Sequence, residues 1–368
     1  MKTTIDLMER PEVEADLFFK LMDNAGRSLR EYRLISAAFE LGVFEALETP
    51  SRAGPLAERL GCDPALMPYF CEALCELALL YRLEDGGRAE KDRGSEEDEV
   101  NKGEGPVYAN TRLSSTYLLK TSSFSLQHYL SEKERDSKIW ARLPEIMIEG
   151  PVVFPKADFF GRIIHSMAES SRCGLLQETV RTVTENVDFT KAGKLLDLGG
   201  GHGLYAIAFA GLYKELEAFV FDLPLVTEQT KVYIEKYSAD RVRVITGDFF
   251  KDELGEGYDI IFSSFNPGGK VPELIPKIAG ALNEGGIFVT RQVRDEKADS
   301  DPLANLAWNL WTFADTKKGG SGFTFENSVP FDEYVEMLGD YGLEVKKLID
   351  MKDGSRIVFA EKKSQAKI

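Results

Sequence analysis

Histidine is scarce in this 368-residue chain, which contains three: His128, His165 and His202. Cysteine is nearly as rare, with Cys62, Cys71, Cys75 and Cys173. Cys71 and Cys75 fall on one face of a helical pattern. No second Cys or His pair stands at metal-ligand spacing, so core thiols are expected and no metal site. Long apolar runs are missing: nothing approaches the roughly 18 residues that a membrane-spanning helix needs. The opening residues, MKTTIDLMERPEVEADLF, lack the apolar centre of a secretory signal, and a cytoplasmic protein is the expectation. Excess positive charge is absent as well. The formal net charge is -16, which argues against nucleic acid as the main partner, because phosphate binding needs a basic surface. The acidity itself is read as a solubility feature. Among the residues that are present, 43% are hydrophobic, enough for a sizeable core and for two domains.

The first third reads as helices. YRLISAAFELGVFEALE (32–48) places Leu34, Ala38, Leu41 and Ala46 at helical spacing. GPLAERLG (54–61) is a second helix that stops at Gly61. DPALMPYFCEALCELALLYRL (63–83) is a third, with Asp63 as N-cap and Pro64 in the first turn. A hairpin follows, with the polar tip RGSEEDEVNKGEG (93–105). Helix-turn-helix plus hairpin predicts a winged helix. That fold often binds DNA, yet the third helix carries no Lys or Arg from Asp63 to Leu80. A groove-reading helix needs such donors, so this one is expected to pack rather than read.

Residues 123–186 continue as helices, and from Lys194 the pattern alternates. Strands are expected over 194–199, 217–223, 241–249, 258–265, 286–293, 344–351 and 356–362, with helical stretches between most of them. Only KDGS separates the last two, a hairpin. The expected fold is an α/β, Rossmann-like doubly wound sheet with an antiparallel end, preceded by a mainly helical domain. Such sheets bind ligands at the carboxyl ends of their strands.

Three strand ends carry candidate binding residues. The first ends in DLGGGHG (197–203) and runs into the helix LYAIAFAGL. Glycines there let the backbone approach a ligand, and the helix supplies free N–H groups. Asp222 ends the second strand, where a carboxylate accepts from ribose hydroxyls. Asp248 and Phe249 end the third, a carboxylate and a ring suited to adenine. Caps and turns are the plain alternative for each residue alone; together they favour an adenosine-bearing cofactor. Gly199, Gly201 and Gly203 follow GxGxG after Asp197 rather than GxGxxG, which favours S-adenosylmethionine over NAD, as does the terminal hairpin.

LLDLGGGHG, FDLP, GDFF and the C-terminal GIFV…DEYVEMLGDYGLEV resemble the small-molecule O-methyltransferases of the caffeic acid and hydroxyindole type. The resemblance covers nearly the whole chain. It implies a winged-helix dimerisation domain (1–120), a helical linker lining the substrate pocket (121–186) and a class I methyltransferase domain binding S-adenosylmethionine (187–368). Carried over by position, Asp197, Gly199, Gly200 and Gly201 line the methionine part of the cofactor. Asp222 and Leu223 fall at the ribose, Asp248 and Phe249 at the adenine. Met167 falls on a helix near cofactor and substrate. A homodimer and a small, aromatic or conjugated substrate are implied.

The resemblance breaks after the fourth strand. The family places a Lys there and then a His-Asp-Trp whose His is the general base. Here Ser264 stands near the Lys position and FNPGGK replaces the His loop. A base is worth about 10²–10⁴-fold for a hydroxyl of high pKa, and an acidic phenol, a thiol or an activated carbon needs it less. No base is assigned; the candidate catalytic residues are Asn266, His165 and Arg291. Asn-Pro-Gly-Gly partly resembles the Asn-Pro-Pro-aromatic motif of amino-methyltransferases, which would make Asn266 an amine holder; plain turn chemistry is the alternative. His165 shares a helix with Met167. Arg291 leaves the fifth strand and would bind a substrate carboxylate, or pair on the surface. Trp308 and Trp311 would build core, lid or an apolar pocket. Other chemistries stay open: N- or C-methylation, a decarboxylase- or hydroxylase-like enzyme that binds the cofactor without transferring methyl, and a DNA-binding regulator.

Overall fold

In the computed structural model, which describes residues 10–83, 105–295, 301–320 and 323–364, a glycine ends the first helix. Helix α1 (Asp16–Leu41) begins well before the expected start, and Gly42, at φ 75°, separates it from the short α2 (Val43–Ala46). The single helix expected over 32–48 is therefore two. Strand β1 (Ser51–Arg52) leads into α3 (Ala53–Leu60), which Gly61 closes at φ 64°.

The third helix is shorter than its apolar run. The Asp63 carboxylate accepts the Ala65 and Leu66 N–H groups and so caps a turn, and α4 spans only Met67–Glu76. Ala78 then takes a positive φ of 55°, which redirects the chain into β2 (Leu80–Leu83). Leucine-rich sequence suits a helix and a strand alike, and here pairing decides. Strand β3 (Val107–Asn110) pairs antiparallel with both β1 and β2. Residues 93–104 of the expected hairpin tip lie outside the described residues. α5 (Arg112–Tyr117) is capped by Thr111. These elements belong to one compact unit, which extends to Gln127.

The second unit runs from His128. Its helices α6 (Gln127–Ala141), α7 (Leu143–Glu149), α8 (Lys156–Ser171) and α9 (Leu175–Thr184) occupy the stretch expected to be helical. A short β4 (Val152–Phe154), not foreseen, interrupts them.

The sheet follows. Its strands are β5 (Lys194–Leu198), β6 (Glu217–Asp222), β7 (Val242–Thr246), β8 (Tyr258–Ser264) and β9 (Leu282–Val293). Helices α10 (Leu204–Leu212), α11 (Pro224–Lys236) and α12 (Ile275–Ala281) connect them. After β9 come α13 (Pro302–Asn309), β10 (Trp311–Phe313), α14 (Phe331–Asp340), β11 (Leu343–Asp350) and β12 (Ser355–Lys362). Strand β10 pairs in parallel with β4, outside the main sheet.

The seven-stranded order is β11-β12-β9-β8-β5-β6-β7. Strands β5 to β9 pair in parallel, and β12 is antiparallel to both β9 and β11. The expected parallel sheet with an antiparallel end is what forms. Alternation explains its two-sided burial: Leu195, Ile260, Val289 and Phe359 enter one apolar cluster, while their neighbours Leu196, Ile261, Phe288 and Val358 enter the other. Coverage on both faces leaves the carboxyl ends of β5, β6, β7 and β8 as the edge where polar side chains collect.

Candidate active site

The glycine turn after β5 is shaped by its neighbours. Gly199 has φ 65°, and a Cβ placed there would meet the Asn266 amide nitrogen at 2.3 Å. A side chain at Gly200 would strike the Asp197 carboxyl carbon at 2.5 Å. Only glycine fits either place, so the turn brings bare backbone to the sheet edge.

Asp222, the last residue of β6, braces that turn. One carboxylate oxygen accepts the Gly201 N–H at 2.9 Å and the other accepts the Leu223 N–H at 2.7 Å. Burial pushes its pKa up to about 6, although both N–H groups and Lys156 act the other way. Asp197, at 1% exposure, lies deeper, with Oδ2 buried and unpartnered among the described residues. Burial raises its carboxyl to about 8; the Ala206 N–H opposes this and the nearby Asp222 adds to it. Asp197 is therefore largely protonated at neutral pH.

Asp248 behaves differently. Burial acts to raise its pKa, but the Phe250 N–H and Lys156 outweigh that and hold the carboxylate below its ordinary value. Lys156, at the start of α8, reaches it at 3.2 Å and is itself only 7% exposed. Lys156 follows no motif and was not legible as a site residue.

One cleft of about 600 Å³ of empty space joins most of the expected positions. Gly199, Gly201, Asp222, Leu223, Asp248, Phe249, Ser264, Asn266 and Met167 all line it. Asp197 and Gly200 line an adjoining cavity that shares Met167, Gly199, Gly201 and Ser264 with the first. Phe265 and Pro267, from the FSSFNPGGK stretch expected at the rim of the site, also line it; Lys156, Phe160, Ile164, Val226, Phe323 and Phe325 complete the lining and were not foreseen. Phe265 turns inward because its backbone is in the left-handed region, at φ 51°. No pattern in FSSFNPGGK signals that for a phenylalanine. The wall is thus largely apolar, with five phenylalanines among its residues.

The three expected catalytic candidates are placed as follows. Asn266 reaches the cleft, but its amide is committed to the fold. Its Nδ2 donates to the Leu198 carbonyl at 3.3 Å, and its Oδ1 accepts the Gly268 N–H at 2.9 Å. It ties the loop after β8 to the end of β5. His165 does not line the cleft. Its two ring nitrogens engage the Tyr233 hydroxyl at 2.8 Å and the Gln229 carbonyl oxygen at 2.9 Å, and its ring packs against His128 at 4.8 Å. Burial, with His128 beside it, pushes its pKa down.

Arg291 is fully buried, contrary to both the carboxylate-binding and the surface-pairing expectation. It bonds Ser355 at 2.9 Å, Asp353 at 2.9 Å and Thr179. A guanidinium in an inner strand must be paired, and this one lies 5.2 Å from the Phe265 ring centre, supporting the cleft wall from behind. Trp308 is likewise one layer back: it donates to the Gly319 carbonyl and packs on Phe323.

His202 is buried beside the glycine turn and accepts the Leu204 N–H at 3.1 Å through Nδ1. Burial lowers its pKa to about 4, so the ring is neutral and carries its proton on Nε2. Among the described residues no histidine lines the main cleft and no His, Cys, Asp and Glu cluster suits a metal. No described helix is long and apolar enough to cross a membrane.

Two family models match the chain: an O-methyltransferase domain over residues 158–321 and an O-methyltransferase dimerisation domain over residues 30–120. An uncharacterised protein of Methanocaldococcus jannaschii is 36% identical, across 94% of this chain and 90% of its own length. Acetylserotonin O-methyltransferase of Bos taurus is 29% identical, across 79% of this chain and 85% of its own. An O-methyltransferase family protein from Burkholderia thailandensis has a similar structure, with a TM-score of 0.72, 19% identity and coverage of 97% of this chain and 100% of that one. Human N-acetylserotonin methyltransferase, solved in complex with SAM, has a TM-score of 0.66 at 21% identity, with coverage of 96% and 100%.

Proposed function

The chain belongs to the O-methyltransferase family, and we propose that it transfers a methyl group from S-adenosylmethionine to the hydroxyl of a small aromatic molecule. The observation that carries this reading is the convergence of Asp222, Asp248 and Phe249 with the glycine turn on one aromatic-walled cleft.

The residues fit the cofactor. Asp222 presents a carboxylate, already oriented by two N–H groups, to the ribose hydroxyls. Asp248, held ionised by the Phe250 N–H and Lys156, would accept from the adenine amine, and Phe249 would pack on the ring. The unpartnered oxygen of Asp197, next to bare glycine backbone, is a ready acceptor for the cofactor's ammonium group. When bound, S-adenosylmethionine supplies an electrophilic methyl on a cationic sulfur. The chain's contribution is then alignment and exclusion of water, and the ring-lined wall of Phe160, Phe265, Phe323 and Phe325 selects a flat, apolar acceptor.

The acceptor's proton follows from the same lining. Asp248 is paired with Lys156, Asp222 is held by backbone, and the Asn266 amide is spent on Leu198 and Gly268. A hydroxyl that ionises by itself near neutral pH needs no further base. The favoured acceptor is therefore an acidic phenol or enol. Full-length protein, labelled S-adenosylmethionine and a series of phenols of graded acidity test this. The rate at pH 7 should fall with rising phenol pKa, following the ionised fraction. Equal turnover of weakly acidic phenols would show that the enzyme supplies its own base. The N-terminal unit is read as a winged helix that serves homodimer formation rather than DNA; the dimerisation-domain match supports homodimer formation.

A further inference from the structure

Lys318 occupies an unusual place for a lysine in a loop. Its ammonium lies 3.8 Å from the ring centre of Trp308 and 3.4 Å from that of Trp311, and the two rings meet edge to face at 4.8 Å. The same nitrogen donates to the backbone carbonyls of Trp308 and Trp311. Burial pushes this ammonium down, to about 7, whereas the two ring faces and two carbonyl oxygens favour its charged form. Four electron-rich groups thus converge on one side chain.

Lys318 belongs to a short hairpin. It bridges Phe325, the Gly319 N–H donates to the Thr324 carbonyl at 2.7 Å, and the Glu326 N–H donates to the Lys317 carbonyl at 3.1 Å. Phe323 and Phe325 of this hairpin line the cleft. The support on the other side is well anchored: Trp311 pairs with Val152 in β4 and stacks on Phe159 of α8 at 4.3 Å. Trp308 Nε1–H and the Asn309 amide add bonds to the Gly319 and Gly320 carbonyls.

We propose that Lys318 is a positioning residue for the acceptor pocket: wedged between Trp308 and Trp311, it pins the hairpin so that Phe323 and Phe325 stand as a wall of the cleft. The role as acceptor wall rests on the methyltransferase reading above; the pinning itself does not. A lysine that merely packed would be replaceable by an unbranched apolar chain of similar length. A lysine that acts through its charge would not be, and arginine, which stacks on aromatic rings and keeps the charge, would substitute for it.

The test compares the full-length wild type with K318M and K318R. Amide hydrogen exchange is read at Gly319 and Glu326 and, as a fold control, along β8. Affinities for S-adenosylhomocysteine and for 2-naphthol, used as a flat aromatic probe, are read by calorimetry. In K318M the two hairpin amides should exchange about tenfold faster and 2-naphthol should bind about tenfold more weakly, the size of one lost cation–π contact in a desolvated site. The β8 amides and S-adenosylhomocysteine affinity should stay within about twofold of the wild type, because that region is braced separately. K318R should restore both hairpin readouts. Unchanged hairpin exchange in K318M would overturn the proposal, as would faster exchange with no change in 2-naphthol binding, or a folded K318R as impaired as K318M. If K318M loses protection in β8 as well, the K318R result decides in the same terms. A wild type that binds S-adenosylhomocysteine but not 2-naphthol also overturns it. Failure of the wild type to bind S-adenosylhomocysteine counts against the proposed function alone, since the exchange data still report on the pinning.

Discussion

The carboxylate of Asp222 accepts the backbone N–H of Gly201 at 2.9 Å, so the last residue of one strand fixes the glycine turn that follows its neighbour. One side chain thereby sets two parts of the cleft: its own acceptor oxygens and the path of the turn between Asp197 and α10. Replacing it should disturb both at once.

Asp222→Ala should weaken S-adenosylmethionine binding by about tenfold to a hundredfold, the range for losing charge-assisted hydrogen bonds. Asp222→Asn should fall between the two, because its amide oxygen still accepts one N–H. Isothermal titration with the cofactor measures both.

Asp197 makes stability fall as pH rises. Its folded-state pKa of about 8 lies above the ordinary carboxylate value of 3.8, so the folded state holds the extra proton between those limits. The contribution is complete below the unfolded value and is lost as pH rises through the folded one. Asp197→Asn removes this dependence. In the cofactor-free protein, the variant's melting temperature should gain on the wild type from about pH 5 up to about pH 8 and level off above it. A constant gap across that range would show that Asp197 is ionised in the fold.

Asn266 and Gly199 are a structural pair. Asn266→Ala leaves the Leu198 carbonyl and the Gly268 N–H without their partner and should cost about 1–3 kcal/mol in urea unfolding. Gly199→Ala puts a methyl where the Asn266 amide stands and strains a backbone at φ 65°, and should cost a similar amount. The combined variant should cost less than the sum, since alanine at 266 clears the clash.

Lys156→Met should destabilise at neutral pH by up to about 3 kcal/mol, because it removes the buried partner of the Asp248 carboxylate and leaves it the exposed Lys251 at 3.4 Å and the Phe250 N–H. Asp248 is held below its ordinary value, so its contribution is present above the unfolded pKa and lost as pH falls through the folded one. The deficit of the variant should therefore shrink below the ordinary carboxylate value of 3.8, as pH falls through the lowered folded-state pKa of the wild type. Urea titrations at neutral pH and below that value check it.

The sheet was legible because its strands are short apolar runs bounded by turns, and burial on both faces sends neighbours such as Leu195–Leu196 and Phe288–Val289 into opposite clusters. The carboxylates were legible because they stand at the ends of successive strands, which the parallel sheet brings to one edge, and Asp222 and Asp248 do share a cleft with Phe249. The 63–83 stretch was not, since leucine-rich sequence fits a helix or a strand and only the turn at Ala78 separates them. The rest of the cleft lining was also hidden. Lys156, Phe265, Phe323 and Phe325 come from separate segments, and their convergence depends on a left-handed phenylalanine and a pinned hairpin rather than on any local motif. Arg291 misled for a related reason: a charged residue near a strand end suggests a binding role, whereas Thr179, Asp353 and Ser355 satisfy it from distant parts of the chain.

Methyl transfer itself is the most direct test. Full-length protein with methyl-labelled S-adenosylmethionine and a panel of acidic phenols should yield labelled, solvent-extractable product and an equal amount of S-adenosylhomocysteine. The yield should collapse in Asp222→Ala. Tight cofactor binding with no S-adenosylhomocysteine formed across the panel would contradict the account and favour a non-methylating chemistry in the same cleft.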